Sequence, residues 1–193
     1  MKTKDKILHS ALTLFSQNGY EKSSMEQIAD IVGIKAPSLY KHFRSKEDIL
    51  NELIRLAEER YEENFGSDRH VGKIPDSHKE FISEAMKKVT FTLKDEMIRK
   101  IRIFLVKEQF RNERLSRITS MHQIEGPQKL YTNIIAGMME KKLFRKADPS
   151  LLAFELIAPV SLLISKADRE PDSDEEILKE IRKHVRHFCE IYG

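Results

Sequence analysis

Between Ser24 and Lys46 the chain gathers donors of the kind that hold phosphates and base edges: Ser24, Lys35, Ser38, Tyr40, Lys41, His42 and Lys46. Hydroxyl, ammonium and imidazole groups bind anionic oxygens. Lysine can also donate to guanine O6 and N7, and a small apolar side chain such as Ala36 or Pro37 can rest against a thymine methyl. No catalytic constellation competes with this one. The chain has no Gly-rich phosphate loop, no nucleophile elbow, no metal-ligand spacing and no acid/base pair, so an enzyme is kept only as the last alternative and no cofactor is expected. His184 and His187, near Cys189, are metal-ligand types without enough partners, and Val185 and Phe188 give that stretch an apolar helical face.

These donors need elements to hold them. Ile7, Leu8, Ala11, Leu14 and Phe15 have helical spacing over about Thr3 to Asn18, and Gly19 is a plausible left-handed stop. Ser24 can cap a second helix with Gln27 as its reciprocal partner. Ile28, Ala29 and Val32 form that helix's inward face, Gly33 can take the positive φ of a tight turn, and Ile34 plugs the turn into the core. Ala36, Pro37 and Ser38 open a third helix, where a proline costs no hydrogen bond. Leu39 and Phe43 are its buried edge. Ser45, followed by Asp48, caps a long fourth helix that ends near Phe65–Gly66. Helix, tight turn, helix is the arrangement that pushes a second helix into the DNA major groove, with residues at its start facing base edges. Lys35, Ala36, Pro37, Ser38 and Lys41 are the candidates for that contact. Charge agrees: residues 1–46 carry eight positive and four negative side chains, a net +4, so the remainder of a +3 chain carries −1.

The rest also reads as helical. Gly66 to Ser77 is a turn-rich connector. Apolar faces follow at Phe81, Ile82, Ala85, Met86, Val89 and Leu93, and again at Met97, Ile98, Ile101, Phe104 and Leu105. Arg111 to Gln123 is polar and poorly periodic, and Gly126-Pro127 marks a break. Leu130 to Met139 has a wide apolar face, closed by Asp148-Pro149. Leu151 to Ile164 is apolar nearly all round, with Pro159 inside, and such a helix must be covered on most sides. A last helix runs from Glu175 to Tyr192. The single cysteine, the lack of a run of about 18 apolar residues and an N-terminus unlike a signal peptide lead to the expectation of a cytoplasmic protein with no membrane contact.

The first fifty residues resemble the DNA-binding domain of the TetR family of transcriptional regulators. Ala11, Phe15, Gly19-Tyr20, Met25 to Ala29, Gly33-Ile34, Ser38-Leu39-Tyr40, His42-Phe43, Lys46-Glu47 and Leu50 carry the resemblance. Many relatives place a serine after the hydrophobic turn residue as a cap; here Lys35 stands there and cannot cap in that way. The resemblance implies an all-α fold: an N-terminal three-helix helix-turn-helix domain, residues 1–48, and a C-terminal helical ligand-binding and dimerisation domain, residues 49–193. The helix from about 46 to 65 links the two. It also implies that Ser24, Tyr40, His42 and Lys46 contact phosphates of a double-stranded DNA operator, Lys46 together with free N–H groups at its helix start.

Two uses of the apolar second half are then open. Residues of about 150–167 and 175–192 would pair with their mates in a homodimer, placing two recognition helices about 34 Å apart on a near-palindromic operator. Alternatively, or as well, Met86, Phe91, Met97, Ile101, Phe104, Phe110, Tyr131, Ile134, Ile135, Met138 and Phe154 would line a cavity for a small apolar or amphipathic ligand. The functional expectation is a homodimeric repressor released from DNA by a small molecule. Its alternative is a division- or nucleoid-associated DNA-binding protein of the same fold without such a trigger.

Overall fold

The computed structural model describes residues 2–66 and 73–193 and, among them, contains helices and no strand. Ten α-helices follow in order: α1 Thr3–Asn18, α2 Met25–Val32, α3 Ala36–Tyr40, α4 Lys46–Phe65, α5 His78–Lys94, α6 Glu96–Glu108, α7 Glu113–Ser120, α8 Gly126–Glu140, α9 Pro149–Arg169 and α10 Asp174–Tyr192. Half of the turn-rich connector read at Gly66 to Ser77, residues 67–72, lies outside those described.

The chain divides into two compact units. The first takes residues 1–61 together with residues 96–119. This differs from a division at residue 48, because α6 and α7 pack with the helix-turn-helix. Sequence proximity hid this: α6 reads as one more apolar-faced helix, and only packing shows which neighbour its face meets. Ile7, Ala11 and Phe15 of α1, Ile28 of α2, Leu39 of α3, Ile49 and Leu53 of α4, and Ile98 and Phe104 of α6 are buried in this unit. The Phe15 and Phe104 rings lie 5.9 Å apart.

The second unit takes residues 62–95 and 120–193. Here α8 packs on α9, α9 on α10, and α10 on α5. Its centre is aromatic. Phe81 meets the Phe144 ring edge-on at 5.5 Å, and Phe144 meets Phe188 at 5.7 Å. Edge-to-face pairs at such distances add to the area they bury. Ser77 caps α5 by accepting from the Glu80 N–H at 3.1 Å, and Asp148 caps α9 by accepting from the Ser150 and Leu151 N–H groups at 2.8 and 3.3 Å.

Two local readings change. Gly126-Pro127 is not a break into a loop, because one π-helical turn, Met121–Glu125, joins α7 directly to α8. Pro127 has no N–H for the Gln123 carbonyl four residues back, and the Ser161 hydroxyl donates to that carbonyl instead, at 3.3 Å. α9 is long and apolar enough to cross a membrane by length and composition alone. In this unit its Leu152, Ala153, Leu156 and Ile157 face is buried in the core.

Two phenylalanines calibrate the packing. Phe81→Ala, at the aromatic centre, should cost about 3–5 kcal/mol in urea unfolding. Phe110→Ala, at a side chain 91% exposed, should change stability by no more than about 0.5 kcal/mol.

Candidate nucleic-acid interface

Local chemistry shapes the candidate interface. Ser24 has extended backbone, accepts from the Gln27 N–H at 3.2 Å, and receives the Gln27 side-chain oxygen on its own N–H at 2.9 Å. This reciprocal cap starts α2 where the sequence placed it. Gly33 ends α2 in the left-handed region, φ 76°, which an L side chain adopts only with strain. The Ile34 N–H returns to the Ala29 carbonyl at 3.0 Å, closing the turn. Leu39 is wholly buried and anchors the five-residue α3, while Phe43 is buried just beyond it. Lys35 occupies the cap position of α3 without a side-chain hydrogen bond to its N–H groups.

That anchoring turns the candidate contacts outward. Lys35, Pro37, Ser38, Tyr40, Lys41 and His42 are exposed, and Ala36 is half-buried. No carboxylate occurs from Lys35 through Lys46, so the surface offers donors and positive charge without an acid of its own. Acids from neighbouring elements do reach it: Asp48 of α4 accepts from the Arg44 N–H at 3.0 Å, and Glu26 lies in the first turn of α2. Its own backbone N–H, then the Ser24 hydroxyl and lastly the Tyr40 hydroxyl hold the Glu26 carboxyl below the ordinary carboxylate range. Ser24 and Tyr40 thus already have an anionic neighbour, and a phosphate must compete with it.

Lys46 departs from expectation. Its ammonium turns inward, donating to the Tyr20 carbonyl at 2.7 Å and the Ser23 carbonyl at 3.0 Å, and it lies 4.2 Å from the Tyr20 ring centroid. It therefore staples the α1–α2 loop, and a phosphate would find at most part of its hydrogen-bonding capacity free. The first turn of α4 is capped as expected, with the Asp48 N–H donating to the Ser45 hydroxyl at 3.1 Å. α1 is tied to α4 by Lys4, whose ammonium sits 2.6 Å from Glu52 and 5.6 Å from the Phe43 ring centroid. Arg55, first, and Lys4 pull the Glu52 carboxyl down to about 2.

The expected ligand-lining residues are not one group. Ile101 and Phe104, with half-buried Met97, belong to the first unit; Met86, Tyr131, Ile134, Ile135 and Met138 are buried in the core of the second. Burial pushes the Tyr131 phenol well above its ordinary range. Phe91 is half-buried, 6.1 Å from the Phe65 ring. Phe110 and Phe154 are corrections. Phe110 lies beyond the end of α6 on the surface, and Phe154 is 49% exposed on the outer face of α9. Residue type alone does not distinguish an inner from an outer face on a helix that is apolar all round.

Residues 7–53 match the family model of bacterial regulatory proteins of the tetR family. These residues are a TetR-family domain. Over 52 residues the chain is 46% identical to IcaR, the HTH-type negative transcriptional regulator of the biofilm operon icaADBC in Staphylococcus aureus (strain Newman). That match spans 27% of this chain and 28% of IcaR. The fold likeness runs further. A TetR-family transcriptional regulator from Mesorhizobium loti superposes with a TM-score of 0.73 at 21% identity, over 99% of this chain and 96% of that one. SmeT, the repressor of the Stenotrophomonas maltophilia multidrug efflux pump SmeDEF, does so with a TM-score of 0.71 at 17% identity, over 100% and 91%. The TetR-type architecture, a helix-turn-helix followed by a helical domain, therefore extends over the whole chain.

Reading the sequence missed three residues that hold the TetR-type domain in shape. Ser23 is buried and donates to the Gly19 carbonyl at 2.7 Å. Lys107 and Glu108, at the end of α6, reach the end of α1 and the loop after it. Glu108 did leave a signal, because it follows Ile101, Phe104 and Leu105 at helical spacing and so falls on the buried face.

Two outcomes follow from this geometry. Lys46→Met should lower the stability of the protein by about 1–2 kcal/mol in thermal unfolding, while Lys35→Met and Lys41→Met leave it within about 0.5 kcal/mol. The Glu52 carboxyl is depressed when folded, so its stabilisation is complete above the unfolded value near 4.5 and disappears as pH falls towards about 2. Acid titration followed by circular dichroism should show a shallower loss of structure in that window for Glu52→Gln than for the unmodified protein.

Proposed function

We propose that this chain is a cytoplasmic, sequence-specific DNA-binding transcriptional regulator, a homodimeric repressor that a small apolar or amphipathic ligand releases from a near-palindromic operator. The observation that carries this reading is the exposed, carboxylate-free surface from Lys35 to His42, presented by a capped α2 and a glycine turn. Lys35, Ala36, Pro37, Ser38 and Lys41 read base edges, and Ser24, Tyr40 and His42 hold phosphates. Lys46 adds its field and whatever donor its two carbonyl contacts leave. The likeness of this segment to IcaR, a negative regulator, supports the repressor form.

The homodimer rests on α9. Its inner face is in the core, yet Leu151, Phe154 and Leu162 on its outer face are 54%, 49% and 67% exposed, with Ala158 between the last two. Spacings of three and four make this one stripe, and a helix apolar on both sides needs a second cover. A two-fold mate supplies the same stripe in return. Charge on α10 is suited to the same symmetry. Asp174, Glu175 and Glu176 open the helix, and Lys179, Arg182, Lys183 and Arg186 follow on its exposed side. Antiparallel copies set acidic starts against basic stretches.

Release works by differential affinity. Taking a population from 99:1 DNA-competent to 1:99 requires a ligand that favours the other state by about 5.5 kcal/mol. α4 begins at the helix-turn-helix and ends in the second unit, so a tilt of α4 would alter the spacing of two recognition helices. The complex of SmeT with triclosan supports a small-molecule trigger. The burial of Met86, Ile135 and Met138 in the same core as Phe81 favours the second reading, a DNA binder of this fold without a trigger.

Selection from a random duplex library at near-physiological salt tests the reading. A palindromic consensus supports it, and no enrichment overturns the sequence-specific form. Against the selected duplex, Lys41→Ala should relax preference at one position by about 1–3 kcal/mol. The double substitution Phe154→Glu, Leu162→Glu should leave a monomer in sedimentation and weaken binding by at least about tenfold.

A further inference from the structure

The last turn of α1 and the loop from Gly19 to Ser24 that follows it are held by two charges from α6. Lys107 donates to the Ser16 carbonyl, 2.6 Å away, in the last turn of α1. α1 has no basic residue in that turn, so Lys107 supplies the cation that the negative end of a helix favours. The next residue, Glu108, is only 3% exposed, and its Oε1 accepts from the Tyr20 N–H at 3.2 Å. Gly19 has a φ of 86°, where an L side chain is strained, and a Cβ there would lie 2.9 Å from that oxygen and push the carboxylate aside. The carboxylate meets a backbone donor and the cation meets a carbonyl, so each charge faces its complement. Lys46 holds the loop's Tyr20 and Ser23 carbonyls from α4. A carboxylate in so buried a place is costly without a hydrogen-bonding task, and the task here is to fix the loop that delivers Ser24 to the start of α2.

We propose that Lys107 and Glu108 are positioning residues for the DNA interface. They clamp the end of α1 and the loop behind it, and thereby set where α2 begins and how α3 is presented. This rests on the DNA-binding reading above, and neither residue touches DNA in it.

The test uses the full chain with Glu108→Ala, Glu108→Gln and Lys107→Met. It reads amide exchange at Tyr20 and Gln27 by NMR, and affinity for the selected duplex as a function of salt. In Glu108→Ala the Tyr20 and Gln27 amides should exchange at least about tenfold faster. Duplex affinity should fall at least about tenfold with an unchanged salt slope, because no phosphate contact is lost. Glu108→Gln should return both to within about threefold, since its amide oxygen accepts the same N–H. Lys107→Met should loosen the loop in the same direction and carries the test if Glu108→Ala fails to fold. A loosened loop with undiminished affinity overturns the proposal, as does a salt slope lowered by about one charge or a loss that Glu108→Gln does not restore. If the unmodified protein selects no duplex, the regulator reading fails by itself. The exchange data then decide the clamp: unchanged protection at Tyr20 and Gln27 in the variants overturns it.

Discussion

A helix that stops inside a folded unit leaves carbonyls at its end and N–H groups at the start of the next helix, and each one buried without a partner costs about 1–3 kcal/mol. The junction of α1 and α2 meets this constraint with side chains from far along the chain. Lys46 takes two loop carbonyls, Glu108 takes the Tyr20 N–H, Lys107 takes the Ser16 carbonyl, and Ser23 closes on Gly19. The exposed surface of α3 depends on that junction, because α2 carries α3 through a single glycine turn. A five-residue helix has little rigidity of its own and takes it from α1, α4 and α6.

This dependence also gives lysines two roles that look identical in sequence. Lys35 and Lys41 project from a helix anchored by buried Leu39, and their charge faces solvent. Lys46 sits at a helix start beside a loop whose carbonyls point towards it, so its charge is used inside the unit. The difference arises from which unpaired groups lie within reach, and an ammonium on a flexible four-carbon stem goes to the strongest of them.

The second unit poses the opposite problem, too much apolar surface instead of too many unpaired polar groups. Phe81, Phe144 and Phe188 fill its centre and take one face each of the helices around them. The remaining apolar stripe of α9 is left exposed by the described residues, which is why a second copy of the chain enters the functional proposal. Met86, Ile135 and Met138 show the tension in the ligand reading, since the side chains best suited to an adaptable pocket wall are here packed as core.

Most of the helix starts and stops were legible from local chemistry. Ser24 with Gln27, Gly33, and Ser45 with Asp48 act over three or four residues, so the sequence states them directly. The exposed identity of Lys35 to His42 was legible too, because Leu39 and Phe43 fix which side of α3 is buried. What tertiary structure alone decided is long-range. It placed α6 with the helix-turn-helix, turned Lys46 inward, gave buried Glu108 a backbone partner 88 residues away, and put Phe110 and Phe154 on the outside. Periodicity shows that a face is apolar but not which neighbour it meets, and charge shows that a side chain needs a partner but not where the chain will bring one.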